Sequence, residues 1–99
     1  GGVAQGEAGR MTQQEILDEL KVLIVERLKF DPRRAAEMTL ETTLPKGVEG
    51  SLGLDSLDFI ELSVAMEERF GIVIDEVESL ADDFLSLDTL SRFVLSKVK

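Results

Sequence analysis

Gly53-Leu54-Asp55-Ser56-Leu57-Asp58-Phe59-Ile60-Glu61-Leu62 decides how the rest of this 99-residue chain is read, because an irregular stretch turns there into an amphipathic helix. Asp55 suits the N-cap: its carboxylate can accept a hydrogen bond from an otherwise unpaired N–H of the first turn. Asp58, three residues on, can reach back to the Asp55 N–H and close a capping box. Ser56 then takes the first helical position, at the surface and beside the positive end of the helix dipole. A phosphate group attached to its hydroxyl would be favoured electrostatically. On these grounds Ser56 is read as a modification site that the rest of the chain serves.

The helix opened by Ser56 runs to about Phe70, where Gly71 is a good stop. At about 100° per residue its apolar side chains fall into two sectors. Phe59, Leu62, Met66 and Phe70 form one and are expected in the core. Leu57, Ile60 and Val64 lie roughly opposite, interleaved with Glu61, Glu67 and Glu68. A surface helix needs only one apolar stripe, so the second is either covered by neighbouring elements or is a docking patch with a charged rim. In a patch of that kind the rim steers encounter and the apolar centre holds the complex.

Working towards the N-terminus, Phe30 to Leu54 has no sustained period. Met38, Leu40, Leu44, Val48 and Leu52 are scattered among Thr, Pro45, Gly47 and Gly50. Asp31-Pro32 suits a short helical turn, with Asp as cap and Pro at the first position. A connection this long is uncommon in a small domain. Its apolar residues are expected to tuck over the helix ends as a packed loop; an edge strand through Thr39, Thr42 and Thr43 is the lesser reading. Before it, Thr12-Gln13-Gln14-Glu15 fits a capping box. The helix that follows, from about Gln13 to near Lys29, places Ile16, Leu17, Leu20, Leu23, Ile24 and Leu28 on one face. Residues 1–10 hold four glycines and little to bury. They read as a disordered, expression-derived tail, with Met11 as native start and 11–99 as the domain.

On the C-terminal side, Ile72-Val73-Ile74 is too short for more than an extended connector. Asp75-x-x-Glu78 offers a cap for a short third helix reaching about Phe84. Ser86-Leu87-Asp88-Thr89 restarts the chain as a fourth, with Leu87, Leu90, Val94 and Val98 on one stripe and Phe93 beside it. The expected fold is all-α: a small four-helix bundle with a long loop between helices one and two and a short third helix.

Composition narrows what such a fold can do. A net charge of −9 argues against nucleic acid, which requires clustered Lys and Arg, and is compatible with basic protein partners. The chain has no Cys and no His, which removes disulfides, thiolate metal sites and a Ser–His–Asp triad. Asp82-Asp83 and Glu67-Glu68 lack calcium-loop spacing, so no metal is expected. No apolar run has membrane-spanning length, and the cytoplasm is the expected address. Ser51, Ser79, Ser86, Ser91 and Ser96 lack the setting of Ser56 and read as caps or surface residues.

The Gly53–Leu62 stretch, together with the helix order, the long first loop and the acidity, resembles the phosphopantetheine attachment region of the acyl carrier protein family, over about residues 12–98. The resemblance implies that Ser56 carries 4′-phosphopantetheine from coenzyme A, added by a phosphopantetheinyl transferase, with acyl groups held as thioesters on its terminal thiol. The reactive sulfur would then belong to the prosthetic group of a Cys-free chain. By the same analogy Asp55, the motif acid, helps place the serine or the transferase metal. Leu57, Asp58, Ile60, Glu61, Val64, Glu67 and Glu68 would meet basic patches on acyl-loading, condensing and acyl-transferring enzymes, with the carrier itself a monomer. An acyl chain would slip between helices against Phe59, Leu62 and Ala65. Three departures from the family pattern favour a specialised carrier over a housekeeping fatty-acid role. These are a longer loop at Pro45–Ser51, Arg69 interrupting the acidic run, and a longer, more apolar stretch from Glu76 to Leu87.

The expected function is therefore an acyl carrier in fatty-acid, lipid or polyketide biosynthesis. An aminoacyl or peptidyl carrier ranks lower, since those relatives often have Gly where this chain has Asp55. An acidic helical adaptor without a prosthetic group is the reading from a different class. An enzyme is disfavoured by the missing His, Cys and metal cluster.

Overall fold

Thr12 and Glu15 close the capping box that the sequence predicts: the Thr12 hydroxyl accepts the Glu15 N–H at 3.1 Å and the Glu15 carboxylate accepts the Thr12 N–H at 2.9 Å. They open α1 (Gln13–Leu28) in the computed structural model, which describes residues 11–74 and 82–98. Ile16, Leu17, Leu20, Leu23 and Ile24 are buried along one face of α1, while Val22 is exposed. Leu28, expected on the same stripe, is half-buried. At the C-terminal end Lys29 takes the left-handed conformation, with φ of 65°, which disfavours a side chain and makes this a costly stop for a non-glycine residue.

The Asp31-Pro32 signal forms a short helix, α2 (Pro32–Ala36), whose cap is the Asp31 carboxylate accepting the Arg33 N–H at 2.8 Å. The long connection beyond it is packed, as its scattered apolar residues require. Met38 and Leu54 are buried near its two ends and Leu44 between them, and Leu40 and Leu52 pack partly against the core. Val48 is the exception: it is exposed, as are its neighbours from Lys46 to Gly50. Two isolated bridges tie this loop down, Thr43 antiparallel to Ser86 and Pro45 parallel to Leu54. Among the described residues the Thr-rich stretch forms no strand.

These ties decide where the motif sits. Leu44 donates its N–H to the Leu85 carbonyl while Leu87 donates to the Thr42 carbonyl, both at 2.9 Å, so the loop is fastened to the start of the last helix. On the other side of the same residue, Leu54 donates to the Leu44 carbonyl and Lys46 to the Leu54 carbonyl, also at 2.9 Å. A single stretch of loop therefore registers two helix N-termini at once.

α3 (Ser56–Phe70) is the helix opened by the motif, ended by Gly71 in the left-handed conformation as predicted. Leu62, Ala65 and Met66 are buried, and Phe59 and Phe70 are half-buried against the core instead of wholly inside it. Phe59 meets buried Phe84 edge-on, with ring centroids 5.5 Å apart. Ile72 and Ile74 point inwards and Val73 outwards, the alternation of an extended connector. The helix expected from Asp75 lies for the most part outside the described residues; its expected end, 82–84, is a turn.

Ser86 and Thr89 cap α4 (Leu87–Val98) reciprocally, each hydroxyl accepting the other's backbone N–H at 3.2 and 3.0 Å. Leu87, Leu90 and Val94 are fully buried, and Val98 and Phe93 partly so. Burying each such side chain contributes about 1.5–3 kcal/mol. α1 packs against both α3 and α4, so the core lies between three helices with the loop closing one end. Ser91 is buried as well, and its hydroxyl accepts from the Gln13 amide at 2.9 Å and donates to the Asp88 carbonyl at 2.9 Å. The described residues thus form an all-α bundle of four helices, one of them the short α2 that the sequence marks only as a helical turn.

Candidate functional site

The site is built from the start of α3 upwards. Asp55 has extended backbone, and its carboxylate accepts the Asp58 N–H at 3.0 Å while the Asp58 carboxylate accepts the Asp55 N–H at 3.1 Å. Both arms of the predicted capping box are present, and Ser56 is the first helical residue, exposed to solvent. Hydrogen bonding from the Asp58 N–H, together with the Asp58 side chain, the Leu57 N–H and the charge of Lys46, holds the Asp55 carboxyl below its ordinary range, against the opposing effect of partial desolvation. The positive helix end favours negative charge beside Ser56.

Two residues outside the motif set its approach. Gly53 has φ of +76°, a conformation that a side chain resists even where there is room for one. Ser51 fixes that turn, its hydroxyl accepting the Gly53 N–H at 3.1 Å and donating to the Pro45 carbonyl at 2.6 Å. Ser51 is thus more than the cap or surface residue expected from the sequence, and its S-x-G spacing is the signal of such a side chain-to-backbone turn.

The predicted second stripe stands open. Leu57 is 74% exposed, Ile60 50% and Val64 40%, so the reading in which neighbouring elements cover it fails for these three. Its carboxylates are another matter. Arg27 of α1 reaches Glu61 with Nε at 3.0 Å and Nη2 at 2.9 Å, and Glu68 with Nη1 at 3.1 Å. Those contacts hold the Arg27 guanidinium above its ordinary pKa, Glu68 first, although some desolvation opposes them. Glu67 turns the other way and accepts the Ile74 N–H at 2.6 Å. Arg69, which interrupts the acidic run, pairs with Glu19 of α1 at 2.6 Å. Glu67 and Glu68 therefore do not converge on a common point. Nothing near these glutamates in the sequence points to Arg27, which lies 34 residues before Glu61.

Of the acyl-pocket candidates, Leu62 and Ala65 are buried within the packed core and Phe59 is half-buried at its edge. Two surface grooves lie elsewhere. One, of about 510 Å³, includes Leu17, Met38 and Leu40; the other, of about 280 Å³, includes Val22, Val25 and Ala35. Neither is lined by the three candidates.

The capped start of α3 thus presents one exposed hydroxyl, a point at which a group can be attached. The family of the phosphopantetheine attachment site matches residues 18–94. An acyl carrier protein of Thermosynechococcus vestitus is 32% identical over 88 residues, covering 89% of this chain and 98% of that protein. One of Wolinella succinogenes is 41% identical over 79 residues, covering 80% and 92%. A third, of Helicobacter acinonychis, is 39% identical over 64 residues, covering 65% and 73%. The chain belongs to the acyl carrier protein family. It is a carrier, not an enzyme, and its cofactor is 4′-phosphopantetheine. The start of α3 fits a phosphodiester: an exposed serine at a positive helix end.

Proposed function

We propose that Ser56 is the attachment point of the 4′-phosphopantetheine arm and that residues 11–99 work as a monomeric acyl carrier unit in the cytoplasm, in fatty-acid, lipid or polyketide biosynthesis. The single observation that carries this reading is the placement of the Ser56 hydroxyl, exposed at the first position of a helix whose N-terminus is held by Asp55 and Asp58. When bound, the arm supplies a thiol on which acyl groups are held as thioesters. The protein's own residues present and orient. Asp55 keeps the helix start in place, and Ser51 and Gly53 set the approach of the chain.

The docking face for the transferase and for acyl-loading, condensing and acyl-transferring enzymes is the exposed set Leu57, Ile60 and Val64, with Asp58, Glu61, Glu67 and Glu68 around it. Its apolar centre is supported by the exposures above. Glu61 and Glu68 share the charge of Arg27, whereas Asp58 and Glu67 accept neutral backbone N–H groups and keep their own. An acyl chain would pass Phe59 to reach Leu62 and Ala65, which requires the helices to part because both are enclosed. Extra loop length at Pro45–Ser51 supports a specialised carrier. Among the described residues no helix is long and apolar enough to cross a membrane.

Mass spectrometry after incubation with coenzyme A and a promiscuous phosphopantetheinyl transferase tests the attachment. The expected result is a gain of one phosphopantetheine, absent in Ser56→Ala. No gain with an active transferase would overturn the assignment and favour an adaptor without a prosthetic group.

A further inference from the structure

The carboxylate rim of the docking face already contains a cation. Glu61 and Glu68 stand seven residues apart, two turns along the same side of α3, and the planar guanidinium of Arg27 spans both. Two of its nitrogens go to one oxygen of Glu61 and the third to Glu68. The Arg27 side chain is 33% exposed and the two carboxylates 44% and 65%, so this is a surface cluster that a partner can reach. A simple strut between α1 and α3 would require only one of these pairs, and Arg69 with Glu19 already ties the same two helices.

We propose that Arg27 is a specificity-determining residue of the docking face: it competes intramolecularly for Glu61 and Glu68, disfavouring partners with dense basic patches relative to those that engage Leu57, Ile60 and Val64 by apolar contact. The inference rests on the docking face proposed above. Its physics is an exchange. A partner Lys or Arg gains Glu61 only as Arg27 releases it, and the guanidinium left at the rim then repels that cation. With Arg27 in place the three side chains sum to one negative charge; without it they sum to two. Long-range attraction of a basic partner scales with that local charge and falls with salt.

The test uses hexalysine as a basic probe, titrated into the full chain by NMR at low and moderate salt. Arg27→Gln is expected to bind hexalysine roughly threefold or more tightly than wild type at low salt, with a steeper salt dependence. Arg27→Lys, which keeps the charge and loses the fork, is expected to stay near wild type. In wild type itself, hexalysine is expected to shift the Arg27 Nε–H resonance together with the Glu61 and Glu68 amides. Equal affinities and salt slopes for a folded Arg27→Gln would overturn the proposal. Movement of the glutamate signals with an unmoved Arg27 Nε–H would do so as well, without any variant. Hexalysine binding does not require the arm, so failure of Ser56 modification and failure of this proposal are separate results.

Discussion

The carboxylates of Asp55 and Asp58 each accept the other residue's backbone N–H, at 3.0 and 3.1 Å, and Ser56 stands between them at the helix start. The positioning of the candidate attachment serine thus depends on a charged cap, and the cap should respond to acid. Asp55 has a native pKa below its ordinary value, so it binds fewer protons in the folded chain than in the unfolded one. Its contribution is present above the unfolded carboxylate value and is lost as pH falls through the lowered native value. Urea unfolding followed from pH 7 to pH 3 should show stability falling below about pH 4. Asp58→Ala should flatten part of that dependence and cost about 0.5 kcal/mol at pH 7.

Glu67 has a structural task that its place in the acidic run conceals. Its carboxylate is the acceptor for the Ile74 N–H, in a segment where Ile74 itself is buried. Glu67→Ala should leave that donor poorly satisfied and cost about 1–2 kcal/mol, with faster exchange of the Ile74 amide. Glu67→Gln keeps an acceptor oxygen and should recover most of the loss. If both variants unfold at the wild-type urea midpoint, the hydrogen bond contributes nothing measurable. Glu67→Lys is accordingly a poor probe of docking, because it also removes a tether of the chain beyond α3.

Leu57 and Leu62 lie on one helix, five residues apart, with opposite expected costs. Leu62 is fully buried, and Leu62→Ala should destabilise by about 2–5 kcal/mol through lost transfer energy and a residual cavity. Leu57 is 74% exposed, and Leu57→Ala should stay within about 0.5 kcal/mol of wild type. Its effect should appear as slower modification by the transferase. Thermal melts and initial rates on the two variants separate core from docking face; an unaltered rate in Leu57→Ala would remove that residue from the face.

The helix starts were legible because capping is local. Thr12 with Glu15 and Asp55 with Asp58 are three-residue relationships, and both boxes form as read. The apolar stripes of α1 and α4 were legible for the same reason, since a period of 3.6 residues is a property of neighbours along the chain. Val48 is exposed where the sequence predicts a packed residue, because an aperiodic loop carries no phase from which burial can be assigned. The part played by Ser51, whose hydroxyl fixes Gly53 two residues before Asp55, emerges in the folded turn.

By itself the sequence determined a Cys-free, His-free acidic helical chain with one serine at a capped helix start, beside an apolar stripe more than the core requires. Only the tertiary structure decided what the acidic residues around that stripe are free to do. Arg27 arrives at Glu61 and Glu68 from 34 and 41 residues away, across the packed seam between α1 and α3. Glu67 meets its partner only where the chain folds back beyond Gly71. Electrostatic pairing depends on distance through space, and no local pattern encodes which charges a fold will bring within reach.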